Sequence, residues 1–271
     1  MTWSGNVPYR IIERTDSDAP WIAMVHGVSQ NQRLFDRQIS TFSTTHQIIL
    51  IDLPGHGSAS DIAGPYSVTE FSEYLEKCFA QAEIESCHFW GTHFGASAGL
   101  ILACKKPSIF KSLILEGPIY PGQAIPAVAK FIKRISETAS AQGIEAARKL
   151  WWNEGPWFDV MRANPKICRA TEQLDMIHEF DWQPWMDSGL ITRPLAPIDA
   201  QLKALTVPTL IMNGEHDIPE FMDVAEALTK QMPNAIRATI DGAGGFPLWE
   251  YPDLVNQTVD NFLKSQTIND R

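Results

Sequence analysis

The run Cys87-His88-Phe89-Trp90 leads straight into Gly91-Thr92-His93-Phe94-Gly95. Glycines two positions either side of His93 suit a sharp strand-to-helix turn, where the backbone is strained and the central side chain is pushed up to the end of a sheet. An imidazole held there has three uses. It can act as a general base on water or on an acidic substrate proton, since its ordinary pKa lies near neutral pH. It can attack a carbonyl itself, giving an acyl-imidazole that water then hydrolyses. Or it can be inert, in a chain that only binds. Ser97, one turn into the following helix, reads as a packing residue and not as a substitute nucleophile. His26, His46, His56, His88, His178 and His216 read as loop-holding, core or surface residues, and no pair stands at H-x-x-x-H spacing. The cysteines Cys78, Cys87, Cys104 and Cys168 show no C-x-x-C spacing. The expectation is therefore no metal, no cofactor and reduced, buried thiols.

The elements that must hold such a site alternate short apolar runs with longer helical patterns, the signature of an α/β protein with a mostly parallel sheet. Candidate strands are Trp21–His26, Gln47–Asp52, Cys87–Trp90, Ser112–Glu116, Pro208–Asn213 and Ala235–Ile240. Most end at glycine- or proline-bearing loops, where ligand-facing residues collect in open sheets of this kind. Ser67-Val68-Thr69-Glu70 has the form of a capping box, followed by Phe71, Tyr74, Leu75 and Cys78 at helical spacing. Phe94–Cys104 predicts the helix after the turn, its N-terminus aimed at the site.

From about Tyr120 to Leu202 the strand pattern stops. Trp151, Trp152, Trp157, Trp182 and Trp185 fall here, too many large apolar groups for a solvated linker. Residues 120–202 are expected to form a helical cap, with 1–119 and 203–271 as the core. The five tryptophans either pack the cap's own interior or line an apolar substrate cavity.

Several motifs, taken in order, resemble the α/β-hydrolase superfamily, especially its enol-lactone hydrolases, C–C hydrolases and small esterases. Met24-Val25-His26-Gly27-Val28 is similar to the H-G-x oxyanion segment, Asp52-Leu53-Pro54-Gly55-His56-Gly57-Ser58 to the D-x-P-G-x-G-x-S turn, and Pro208 to Asp217 to the loop that carries the acid. The resemblance implies the α/β-hydrolase fold with an inserted lid, and an oxyanion hole made by the amides of Val28 and Phe94. It places Asp217 at the usual acid position, Glu116 at an alternative one, and Ser29 near the substrate. Two positions depart from it. His93 stands where the nucleophile belongs, and Gly245, in Gly242-Ala243-Gly244-Gly245-Phe246-Pro247, stands where the base belongs. The serine relay cannot operate without either residue. One reading of the pair is compensation: Gly245 empties a volume into which the His93 ring reaches, making a dyad with Asp217 or Glu116.

On this basis the expected function is hydrolysis of a small, largely apolar ester or lactone by an atypical His93–carboxylate dyad. The alternatives are a catalytically silent ligand-binding member, a cofactor-independent oxygenase or lyase on the same fold, and a deliberately altered Ser–His–Asp esterase. A formal net charge of −10 argues against a nucleic-acid partner. Residues 1–6 lack a basic flank followed by an apolar stretch, and no 18-residue apolar run occurs, so a cytoplasmic protein with no membrane partner is expected. Monomer and homodimer remain equally open.

Overall fold

The runs Trp21–Val25 (β2), Gln47–Ile51 (β3) and Cys87–Thr92 (β4) are buried nearly end to end. Burial on both faces is what a parallel sheet covered by helices demands. In the computed structural model, which describes residues 6–16, 18–120, 125–186 and 198–269, these strands join Arg10–Ile12 (β1), Phe110–Glu116 (β5), Thr209–Gly214 (β6) and Ala235–Ile240 (β7). The order across the sheet is β1-β3-β2-β4-β5-β6-β7, and only β1 runs antiparallel, against β3. That edge strand escapes the sequence reading because three residues, Arg10-Ile11-Ile12, are too few to show a period.

The order reverses between β2 and β4. Open sheets of this type bind ligands in the crevice at such a switch point, beyond the strands' carboxyl ends. Parallel register fixes what lies there: Val25 pairs with Gly91, Thr92 with Glu116, and Glu116 with Met212. His93, Glu116 and the loop after β6 therefore share one rim.

Helices α1 (Asp36–Phe42), α2 (Val68–Gln81) and α3 (His93–Lys105) flank the sheet. Helix α2 buries Phe71, Tyr74, Leu75 and Cys78 as its spacing predicts. The Ser67 hydroxyl, however, donates to the Glu70 carboxylate instead of capping the backbone. Helix α3 is buried nearly all round, which accounts for its small, apolar composition. Between β5 and β6 the described chain is helical: α4 (Pro126–Gln142), α5 (Ile144–Glu154), a 3-10 turn at Pro156–Phe158, α6 (Asp159–Ala163), α7 (Ala170–Glu179), α8 (Gln183–Met186) and α9 (Asp199–Ala204). Residues 121–124 and 187–197 of the expected 120–202 cap lie outside the described residues. After β6 come α10 (Pro219–Gln231), β7, α11 (Pro247–Glu250) and α12 (Pro252–Asn269). Among the described residues, no helix is long and apolar enough to cross a membrane.

Candidate active site

His93 opens α3 directly after β4, with φ +48°. A left-handed backbone costs a β-carbon-bearing residue about 1–3 kcal/mol and persists only where the surroundings enforce it. Here both flanking glycines do so. A β-carbon on Gly95 would stand 2.4 Å from the His26 carbonyl oxygen, and one on Gly91 would stand 2.6 Å from the Ala96 backbone. Ser97 locks the turn from behind: its hydroxyl bridges the backbone of His93 and Ile119.

The His93 ring is 3.0 Å through Nε2 from the Gly245 carbonyl oxygen. A carbonyl only accepts, so Nε2 carries the proton and Nδ1 the lone pair. Gly117 packs against the Nδ1–Cε1 edge, and Phe246 and Phe221 lie 4.9 and 5.5 Å away, centroid to centroid. Burial lowers the imidazole pKa to about 4, against a smaller opposing pull from the Gly245 and Gly117 backbone. The ring is neutral at physiological pH.

Neither expected carboxylate meets it. Asp217 accepts from the Asn213 amide at 2.8 Å and from the Ile218 backbone N–H at 2.8 Å, and burial raises its pKa to about 6. Glu116 is fully buried, its Oε1 accepting from the Leu248 N–H at 3.3 Å. Burial pushes its pKa well up, and the nearby Glu250 and Asp217 charges add to the rise. No direct hydrogen bond joins the ring to either carboxylate, and the partner it has is the Gly245 carbonyl. The physical reason is the occupant of the space beside Gly245: a β-carbon there would stand 2.4 Å from Trp157 Cβ and 2.8 Å from its Cα. The emptied volume is filled by Trp157 of the insertion, and His93 reaches only the backbone.

Sequence reasoning missed Glu250. It accepts from the Gly244 N–H, and burial lifts its pKa to about 8. Its signal was a lone acid among the large apolar groups of Pro247-Leu248-Trp249-Glu250-Tyr251.

Above His93 lies a small cavity of about 40 Å³, partly open to solvent. Val28, Phe94, Ile119, Val128, Ile132, Trp151, Trp157, Trp185, Phe221 and Phe246 wall it, so among the described residues His93 is its sole titratable lining residue. Phe94 stands in the first turn of α3, where a backbone N–H has no intrahelical acceptor. Trp152 and Trp182 do not line the cavity. Trp152 packs on Phe158 at 5.1 Å, and Trp182 is buried against Phe180 at 5.5 Å. Ser29, expected near substrate, instead accepts a hydrogen bond from the Trp151 indole at 3.0 Å. It holds a φ of +66°, and its N–H donates to His56 Nε2. Loops are held by His26 and His56, as the sequence predicts: each ring bonds backbone on both sides. Among the described residues, no group of three or more His, Cys, Asp or Glu could hold a metal.

A family model described as the alpha/beta hydrolase fold matches residues 20–252. The chain belongs to the α/β-hydrolase fold family. Within that family, carboxylesterase YbfK of Bacillus subtilis is 25% identical, over 93% of this chain and 83% of its own length. A 3-oxoadipate enol-lactonase of Acinetobacter baylyi is 22% identical, over 92% and 90%. Among solved hydrolase-fold structures, the enol-lactonase from Burkholderia xenovorans superimposes with a TM-score of 0.81 at 20% identity, covering 95% of this chain and 96% of its own.

Proposed function

We propose that this protein takes a small, largely apolar ester or lactone into the cavity above His93 and turns it over slowly with the imidazole as its working group. The observation that carries this is a neutral ring, the sole titratable lining residue among those described, at the elbow of a family whose similar members include an esterase and an enol-lactonase. The helical insertion serves as the lid. The amides of Val28 and Phe94 are the proposed oxyanion donors, and Trp151, Trp157 and Trp185 the apolar walls. With no carboxylate to orient the ring or stabilise its protonated form, the imidazole works without a partner, beside positioning and the backbone donors. Such a remnant is worth about 10³–10⁴ over water in hydrolases that have lost their relay.

Turnover of p-nitrophenyl acetate and γ-butyrolactone, by the wild type and by His93→Ala, tests the proposal. The wild type should exceed buffer, its rate flat above about pH 5 and falling as pH drops through the His93 pKa near 4, because only the neutral ring acts. The variant keeps the backbone donors, so it should fall well below the wild type while staying above the buffer rate. Equal rates in both proteins refute the assignment of His93.

A second reading, binding without turnover, is favoured by the Nε2–H committed to Gly245. It predicts that both proteins bind a non-hydrolysable ketone analogue and that neither hydrolyses the ester.

A further inference from the structure

The run Gly244-Gly245-Phe246 lies beneath the insertion along its whole length. A β-carbon on Gly244 would stand 2.9 Å from Val160 Cγ2, and one on Gly245 would stand 2.4 Å from Trp157 Cβ. Phe246 stacks on Phe158 at 5.3 Å with ring planes 17° apart. Three consecutive core residues thus meet the lid segment 157–160, two of them through backbone alone. The close neighbours of Gly245 are Trp157 Cβ and main chain, at 2.4 to 2.9 Å, so no side-chain rotation relieves a clash there. The indole of Trp157 in turn walls the cavity, 4.7 Å from the Trp151 ring.

We propose that Gly245 is a specificity-determining residue: by carrying no side chain it lets Trp157 descend to its seat, and the height of that seat sets the largest ligand the cavity admits. The inference rests on the reading of this cavity as the ligand site, and is independent of whether His93 turns anything over. The ligand class is apolar and compact. A cavity walled by indole and phenyl groups rewards buried hydrocarbon, while the seated Trp157 penalises length.

The series toluene, propylbenzene, pentylbenzene and heptylbenzene, titrated calorimetrically, tests this without any chemistry. In an open groove each added methylene strengthens binding about fourfold. The wild type should follow that rise for the short members, then turn down. Gly245→Ala, which must lift the 157 segment, and Trp157→Ala, which keeps the seat but removes the wall, should both move the turning point to a longer chain. At the first alkylbenzene the wild type rejects, each should bind at least tenfold tighter. The double variant should gain less than the product of the two, because both act on the same wall.

A turning point unmoved in either folded variant overturns the proposal, as does a wild type whose affinity rises evenly along the series. If Gly245→Ala does not fold, a seat without slack is the expected cause, and Trp157→Ala decides alone. Absent ester turnover with a moving turning point would sink the catalytic reading and leave this one standing.

Discussion

At His93 two costs meet at one residue: a left-handed backbone and a buried polar ring. Both are repaid by the bond to Gly245 and by packing on Phe246 and Phe221. The position of Trp157 makes a specific claim about restoring the family's residues. Gly245→His should lose about 1–3 kcal/mol of stability, the usual cost of overpacking, because its β-carbon meets the Trp157 backbone. The loss should be the same in a His93→Ser background, within about 0.5 kcal/mol, since the obstacle is not the His93 ring. Urea titration of the four proteins measures it. A coupling above about 1 kcal/mol would show that the two rings do compete for one volume. The elbow and its imidazole were legible in the sequence, because strand, glycine and helix signals are local. The partner of the imidazole was not. It depends on where a segment more than sixty residues further along the chain comes to rest, and no spacing encodes that.

At the scale of elements, the insertion is tied to the core through the segments after β2 and β3. Trp151 of α5 donates to Ser29, Phe180 stacks on His56 at 4.6 Å, and Glu179 of α7 pairs with Arg33. Two substitutions separate the bond from the backbone at Ser29. Both Ser29→Ala and Ser29→Gly orphan the buried Trp151 N–H, at about 1–3 kcal/mol. Only glycine is at ease at φ +66°, so Ser29→Gly should be the more stable of the two by about 1 kcal/mol. Thermal melts of both variants check this, and equal melting temperatures would mean that the backbone there is unstrained. The central strands were readable as apolar runs because burial on both faces leaves no alternative pattern. The tryptophans of the insertion were readable as apolar, but not as cavity or interior. Trp151, Trp157 and Trp185 differ from Trp152 and Trp182 in facing the cavity, which depends on how the insertion settles over the sheet.

For the whole molecule, buried titratable groups set the pH window of stability. His46, His88 and His93 are lowered to about 4 and His56 to about 3, each chiefly by burial. A lowered histidine contributes stability that is fully present above its unfolded value of 6.5 and is lost as pH falls through the folded one. Raised carboxyls act oppositely. Glu250, moved from 4.5 to about 8, contributes stability that is full below 4.5 and lost as pH rises toward 8, and Glu116 adds to the loss. Stability should therefore peak near pH 6.5 and decline on both sides. Glu250→Gln should flatten the alkaline limb by about 1 kcal/mol per pH unit between pH 6.5 and 8. Urea midpoints across that range test it, and an unchanged limb would place the proton elsewhere. The indoles of Trp151, Trp157 and Trp185 have a consequence of another kind. Trp151 stands 4.7 Å from Trp157 and 4.9 Å from Trp185, tilted by about 50° in each case. Chromophores so close and so inclined couple their electronic transitions, and a coupled set gives circular dichroism that isolated rings lack. Any movement of the Pro156–Phe158 turn alters that coupling, so the molecule carries an intrinsic, label-free spectroscopic signal of where that turn sits.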